Sequence, residues 1–351
     1  MRYELVQALT TLLAAFAAGW LLRRAGIPGG MMLGGIIGAA AYNLLTGSAY
    51  MPFAARFLSQ SIAGGFLGAS LDAKDLKKLP RLLFPLLVVL LGMFLSDLAI
   101  GFFITLVSPL DSLTALTAGI AGGINDIPLI AEELGADAGK VAVLQFVRLL
   151  TGIALFPAMI RLLDRSQPPA AQQPPEKAAR SAPVPLPQMA LTILAAVAGG
   201  AIGKAVGIPA GSLLFSLLAT AALRLTTGIG AMSPGVKQAA QLLAGAYIGC
   251  MLDRQDILEL KYLVLPSLVL VAVFAVNCLL SSWVICKGST FQRKEAMLAT
   301  TPAGAGEIAL ISSDLNIPQA FAADIMVLHI LRVIAAVSIM PQLIPHLANL
   351  I

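Results

Sequence analysis

The chain has 351 residues, of which 58% are hydrophobic and only 12% are charged. Soluble domains carry about 25% charged residues, so this composition excludes an ordinary soluble fold and indicates an integral helical membrane protein. The formal net charge of +5 comes from scattered Lys and Arg residues. No basic recognition helix accompanies it, so nucleic acid is not an expected partner.

Six apolar segments are predicted in each half of the chain. In the first half they cover residues 5–22, 30–46, 55–71, 80–107, 112–134 and 140–163. In the second half they cover residues 188–206, 211–228, 236–252, 262–286, 295–315 and 321–349. Several are long enough to cross roughly 30 Å of hydrocarbon. The first segment lacks a clear cleavage site and is therefore predicted to be a retained helix.

The two halves resemble copies of one unit. Gly26-Ile27-Pro28 returns as Gly207-Ile208-Pro209, an offset of 181 residues, and Arg148 returns as Arg332 after a slip of three residues. The sequence therefore predicts a first membrane repeat at 1–165, a Pro-rich linker at 166–187 and a second membrane repeat at 188–351. A duplicated membrane unit is typical of secondary transporters.

The fifth segment of each half combines Gly, Pro and a carboxylate. Residues 118–128 read AGIAGGINDIP, and residues 300–307 read TTPAGAGE. Irregular backbone occurs at membrane depth only where protein or a water-filled cavity satisfies its polar groups. Each fifth segment is therefore predicted to be either a re-entrant hairpin or a broken spanning helix.

The distribution of basic residues favours the hairpin. If the fifth segment is re-entrant, each half crosses the membrane five times and most of the 23 Lys and Arg residues lie on one side. If it spans the membrane fully, the two sides carry similar numbers. Because basic residues concentrate on the cytoplasmic side, the sequence predicts inverted repeats with both termini outside.

The carboxylates beside the two breaks are candidates for ion coupling. Asp126 and Glu307 each follow a Gly-rich stretch, and a membrane carboxylate is costly unless it is paired, hydrated or protonated. We expect a Na⁺ or H⁺ site there, with freed backbone at Gly123 and Gly304 supplying further ligands. The alternative is that each carboxylate only caps the following half-helix.

Two arginines lie within apolar runs and are candidates for substrate binding. A buried guanidinium at Arg148 or Arg332 can hold a carboxylate through two parallel hydrogen bonds. A structural ion pair with Asp126, Glu307 or another membrane acid such as Asp97 or Asp324 stays open. Further polar residues of the same segments complete the predicted substrate-binding set: Asn125, Gln145, Thr300, Thr301 and His329. Gln145 and His329 each precede an Arg by three residues, so each shares that arginine's helix face.

No enzyme chemistry or bound cofactor is predicted. The three cysteines have neither disulfide nor metal spacing. The two histidines, His329 and His346, are too few for a copper or iron oxygenase site. Apart from a coupling Na⁺ or H⁺, the expected partners are a small-molecule solute and the lipid bilayer.

Taken together, the repeat, the Gly-Ile-Pro motif and the stretches 125–128 and 301–304 make the chain similar to AbrB-family membrane proteins over essentially its whole length. More broadly it resembles the cation/proton antiporter and anion transporter group. The resemblance implies an all-α fold of two inverted repeats with broken or re-entrant helices, elevator-type movement, homodimers and a place in the bacterial inner (plasma) membrane. Members of the AbrB family are also labelled ammonia monooxygenases or regulators of gene expression.

These observations predict a secondary active transporter of a small, anionic organic solute, coupled to Na⁺ or H⁺. A membrane sensor that affects gene expression indirectly is the alternative. It would bind a solute without moving it, and a cytoplasmic output domain would support it. The only candidate for such a domain is the short linker at 166–187.

Overall fold

The computed structural model describes residues 2–27, 29–76, 78–123, 126–163, 184–303, 308, 311–312, 315 and 317–350. These residues form helices joined by turns and loops, with no strand among them. Within them, 6 helices are long and apolar enough to cross a membrane. The prediction of an all-α, multi-pass membrane protein is confirmed.

The helices follow the predicted segments closely. Those of the first half are α1 (Arg2–Arg24), α2 (Gly30–Thr46), α3 (Phe53–Ala69), α4 (Ala73–Leu76), α5 (Leu79–Val107), α6 (Ser112–Gly119), α7 (Ile127–Leu134) and α8 (Ala138–Leu163). Those of the second half are α9 (Leu186–Val206), α10 (Gly211–Thr227), α11 (Pro234–Gly249), α12 (Arg254–Glu259), α13 (Val264–Gly288), α14 (Arg293–Thr300) and α15 (Gln319–Ala348), with a 3₁₀ turn at Leu260–Leu263. The short helices α4 and α12 are not predicted by the hydrophobic pattern.

The chain divides into two compact units, and each unit takes helices from both halves. Unit 1 contains residues 1–72, 124–143 and 183–263, and unit 2 contains residues 73–123, 144–182 and 264–351. These units describe packing, whereas the repeats predicted above describe duplication along the chain. The chain leaves unit 2 for unit 1 directly after Gly123, inside the first Gly-rich stretch.

Glycines allow close helix contacts in unit 1, and these contacts are reciprocal between the halves. Helix α2 packs on α11, and α3 packs on α10. A Cβ atom on Gly64 would meet the carbonyl oxygen of Leu213, and a Cβ atom on Gly245 would meet that of Met32. Both the two glycines and their two partners are 181 residues apart. Equivalent positions of the two halves therefore exchange equivalent contacts, as two copies related by a two-fold axis would.

The turns that begin α2 and α10 share one unusual backbone conformation. Gly29 precedes α2 with φ 66°, and Ala210 precedes α10 with φ 54°. Among the described residues, Ala210 is the only non-glycine residue with positive φ. A left-handed conformation costs a residue with a Cβ atom about 1–2 kcal/mol. The turn before α10 therefore has the same conformation as the turn before α2, although Ala210 is strained in it.

Helix α5 belongs to unit 2 and packs against several of its helices. It packs against α6, α13 and α15, and α14 packs against α13 and α15. One face of α5 is buried and includes Val89, Ile100 and Ile104. The opposite face exposes leucines at a spacing of four residues: Leu83, Leu87, Leu91 and Leu95. A continuous exposed leucine face on a helix of 29 residues fits contact with lipid.

Candidate functional site

The first break lies after α6, and Arg148 of α8 binds its backbone. Helix α6 ends at Gly119, and α7 begins at Ile127. The last carbonyls of a helix have no partner within the helix itself. Arg148 Nη1 donates to the carbonyl oxygen of Ile120 at 3.2 Å, and Nη2 donates to that of Gly122 at 2.7 Å. The guanidinium therefore satisfies the freed backbone of this break.

The second break lies after α14 and is bound in the same way. Helix α14 ends at Thr300. Arg332 Nη1 of α15 donates to the carbonyl oxygen of Thr301 at 2.6 Å, and Nη2 donates to that of Ala303 at 2.5 Å. Thr301 and Ala303 stand 181 residues after Ile120 and Gly122, so the two arginines bind equivalent carbonyls.

A positive charge at these positions has a clear physical reason. The C-terminal end of a helix carries a partial negative charge, and cations near it are favoured. Hydrogen bonds from a charged donor are about twice as strong as neutral ones. Both guanidiniums are almost completely buried, with Arg148 2% and Arg332 1% exposed. Each arginine thus stabilises an interrupted helix end that would otherwise leave buried carbonyls unpaired.

The residues three positions before the arginines reach the same breaks. Gln145 Nε2 donates to the carbonyl oxygens of Ala118 at 3.1 Å and Ile120 at 2.9 Å. His329 Nε2 lies 3.0 Å from the carbonyl oxygen of Leu298. Because a carbonyl only accepts, Nε2 of His329 carries a proton in this contact. The expectation that Gln145 and His329 share the face of their arginines agrees with these contacts.

The two predicted threonines form hydrogen bonds with nearby backbone. Thr300 Oγ1 lies within hydrogen-bonding distance of the carbonyl oxygens of Met297 at 3.0 Å and Ala296 at 3.1 Å. Thr301 Oγ1 donates to the carbonyl oxygen of Met297 at 2.9 Å. Both side chains are buried. They support the end of α14, and their role toward a solute stays a prediction.

Both breaks lie against α8 within unit 2. Arg148 binds the first break, and Gly152 lies one helical turn further along α8. A Cβ atom on Gly152 would lie 3.3 Å from Cβ of Ala303, in the second break. One turn of one helix therefore touches both interrupted segments. We call the two breaks, at residues 120–123 and 301–303, together with Arg148 and Arg332, the paired-break site.

A buried acid of α5 adjoins this site. Asp97 is 1% exposed, and its Cα lies 3.3 Å from the position that a Cβ atom on Gly119 would take. Among the residues that the structure describes, neither carboxylate oxygen of Asp97 has a hydrogen-bond partner. The charges of both Arg148 and Arg332 act on this carboxylate. Sequence reasoning considered Asp97 only as a possible ion-pair partner of a buried arginine. The equivalent position in the second half is Cys278.

The predicted ion-coupling residues are only partly described. Asn125, Gly304 and Glu307 lie outside the described residues. Gly123 is the last residue of unit 2 before the chain enters unit 1, and Asp126 stands at the start of α7 in unit 1. Asp126 is 6% exposed, and its side chain makes no capping hydrogen bond to α7. The alternative role of Asp126 as a helix cap is therefore not observed.

A charged cluster in unit 1 was missed by sequence reasoning. Arg56 of α3 pairs with Glu132 and Glu133 of α7, the latter at 3.1 Å. Gln60 Nε2 donates to Glu133 at 3.0 Å, and Tyr247 Oη lies 3.4 Å from Glu132. The cluster ties α7 to α3 and α11. The only signal in the sequence is two adjacent acids near the end of an apolar segment, which resembles an ordinary loop boundary.

These features define a multi-pass, all-α membrane protein with internally broken helices. In comparisons with known proteins, the family model described as "Transition state regulatory protein AbrB" matches residues 31–348, and the chain belongs to this family. It is 27% identical over 311 residues to "Putative regulator AbrB" of Escherichia coli (strain K12), covering 87% of this chain and 86% of the relative. It is 25% identical over 351 residues to "Uncharacterized protein YhjN" of Bacillus subtilis (strain 168), covering 94% of this chain and 91% of the relative.

Proposed function

We propose that this protein is a secondary active transporter of a small, anionic organic solute. It would reside in the plasma membrane, use a Na⁺ or H⁺ gradient and work by alternating access. The observation that carries the proposal is the paired-break site, in which two buried arginines bind equivalent carbonyls of two interrupted helices. Interrupted helices that meet within a membrane bundle are the usual binding sites of such transporters.

The charge of the paired-break site supports an anionic solute. Two guanidiniums lie within one unit, in surroundings where charges are weakly screened. A guanidinium has five N–H groups, so one that donates to backbone carbonyls can also donate to a bound carboxylate. We assign the attraction of substrate to Arg148 and Arg332. We also keep the proposal that Asp126 and Glu307, with backbone at Gly123 and Gly304, take part in ion coupling.

The packing of the chain supports alternating access. Each of the two compact units combines segments from both halves. A transporter that moves one bundle against another needs two such bodies, and short connections between them can act as hinges. The passage from unit 2 to unit 1 after Gly123 lies within a Gly-rich stretch, which suits a connection of this kind.

A solute screen followed by uptake tests the proposal. The purified protein in detergent would be melted with acetate, pyruvate, glutamate, citrate, neutral amino acids and nucleosides, each with and without Na⁺. A ligand that binds the folded state raises the apparent melting temperature. We expect a carboxylate to do so, and we expect the same carboxylate to accumulate in proteoliposomes under an imposed ion gradient. Stabilisation without uptake under any gradient would contradict transport.

Matched arginine variants then locate the site. Arg148→Lys and Arg332→Lys keep the charge but lose the planar donor geometry, so we expect weaker carboxylate binding in both. Arg161→Lys is the control, because Arg161 lies exposed in the last turn of α8. If carboxylate binding is unchanged in both buried variants, the solute does not bind at the paired-break site.

A second function has one observation in its favour. The Escherichia coli relative is named as a regulator. A membrane sensor would bind a solute in the same site and alter gene expression through another protein. Such a sensor would show carboxylate stabilisation but no uptake, and deletion of its gene would change transcription without changing solute accumulation.

A further inference from the structure

Asp97 is a buried ionisable residue of unit 2 whose environment fits a proton-binding site. It lies in the middle of α5, 1% exposed, beside the first break. Its two carboxylate oxygens have no hydrogen-bond partner within the described part of the chain. Burying a polar group without a hydrogen bond is costly, and burying a charge is more so. A carboxylate retained in such a place points to a ligand, and the smallest ligand that a bare carboxylate takes is a proton.

The neighbours of Asp97 argue for a proton rather than a metal cation. Helices α6, α13 and α15 pack against α5. The titratable or charged groups of these helices and of α8 include Cys278, His329, Arg332 and Arg148, and Asp324 pairs with Lys78 and Arg81 toward the start of α5. Two of these groups are cations whose charge acts on Asp97. A sodium ion would need several oxygen ligands, whereas a proton needs only the carboxylate; the charges of the two arginines oppose either cation.

We propose that Asp97 binds the coupling proton and that its protonation promotes the binding of an anion at the paired-break site. This inference rests on the transport function proposed above. When Asp97 is ionised, it neutralises part of the positive field of the arginines. When Asp97 takes up a proton, the site becomes more positive by one charge, and an anion binds more tightly. By linkage, the bound anion in turn favours the protonated acid, so that proton and anion would travel together.

Asp97 has no acidic counterpart at the equivalent position of the second half. The position equivalent to Asp97 is Cys278, whose Sγ lies 3.4 Å from the carbonyl oxygen of Met297 and 3.4 Å from Thr300 Oγ1. The second half therefore fills this place with a weakly polar group that has nearby partners. Helix α5 therefore carries an acid where the equivalent helix α13 carries a cysteine.

The proton site can be tested without knowing the solute. Infrared difference spectra of the purified protein between acidic and alkaline buffer report the C=O stretch of a protonated, buried carboxylic acid. We expect this pH-dependent band in the wild type, its loss in Asp97→Asn and its return at a shifted pH in Asp97→Glu. Asp324→Asn is the matched control, because Asp324 is buried but paired with Lys78 and Arg81. A band that persists unchanged in Asp97→Asn overturns the proposal.

Coupling is tested with the carboxylates of the panel above. For one linked proton, the apparent affinity for an anion increases up to about tenfold for each unit of falling pH in the range where Asp97 titrates. We expect that dependence in the wild type and in Asp324→Asn, and its loss in Asp97→Asn. If pH dependence survives in Asp97→Asn, the coupling role of Asp97 is wrong. If no carboxylate binds, the transport function fails, while the infrared band still decides whether Asp97 binds a proton.

Discussion

The replacement Arg332→Met tests whether the buried arginines hold the helix breaks. Met keeps much of the side-chain length but removes both hydrogen bonds, at 2.6 and 2.5 Å, to the carbonyls of Thr301 and Ala303. Both residues are buried, at 0% and 1% exposed. A buried acceptor that loses its donor costs about 1–3 kcal/mol, so two of them cost about 2–6 kcal/mol.

A detergent melting experiment measures this loss. With an unfolding entropy of about 2.1 cal/mol/K per residue, a chain of 351 residues loses about 1.4 °C per kcal/mol, so the apparent melting temperature should fall by about 3–8 °C. In Arg332→Lys the apparent melting temperature should fall by about half as much, since a single ammonium donates well to one carbonyl at a time. Arg161→Met is the control, because Arg161 is exposed at the end of α8. We expect its melting temperature to stay within about 1 °C of wild type, as exposed substitutions usually change stability little.

The reasoning is refuted if the Arg332→Met protein has the same melting temperature as the Arg161→Met control. In that case the carbonyls of the second break have other partners, and Arg332 is not needed to hold them. If that variant also loses carboxylate binding, Arg332 acts as a ligand for the solute alone. A large loss of stability that Arg332→Lys partly restores would support the dual role proposed here.

Two further predictions concern the backbone of unit 1. Ala210→Gly should increase the free energy of unfolding by about 1 kcal/mol, since glycine has no Cβ atom to be strained in the left-handed conformation. Gly29→Ala should decrease it by a similar amount. Equal melting temperatures for these two variants would contradict the argument. Gly64→Ala and Gly245→Ala should each destabilise the fold by about 1–3 kcal/mol, because the new methyl group would meet a backbone oxygen. Gly235→Ala is the control and should change little, because its methyl group would meet only Ser233 Oγ, at an ordinary 3.8 Å. A clear difference in stability between Gly64→Ala and Gly245→Ala would argue against reciprocal packing.

Hydrophobic runs predicted most helix ends, because a helix that crosses the bilayer needs a continuous apolar stretch of about 20 residues. The ends of α2, for example, agree with the predicted segment 30–46. The break between α6 and α7 was also predictable, since Gly, Asn and Pro there do not continue a helix. The short helix α12 was not, because six residues outside the membrane carry no periodic pattern.

The partners of the buried polar residues could not be predicted. An arginine in an apolar run signals a buried partner, but the sequence does not distinguish a carboxylate from a pair of carbonyls. Arg148 and Arg332 were expected to bind carboxylates, and the observed hydrogen bonds go to backbone. Asp97 had no counterpart in the second half to mark it. Its isolation is visible only once α5 is packed against its neighbours.

The exchange of glycine contacts between the halves has a consequence for biosynthesis. Helices α2 and α3 are translated long before α10 and α11, against which their glycine faces pack. Until the second half is synthesised, those faces lack the helices against which they pack. The first half therefore cannot complete the packing of unit 1 until the second half is present. If the two halves were expressed as separate polypeptides, each would need the other to complete unit 1. The two fragments would then behave as obligate subunits.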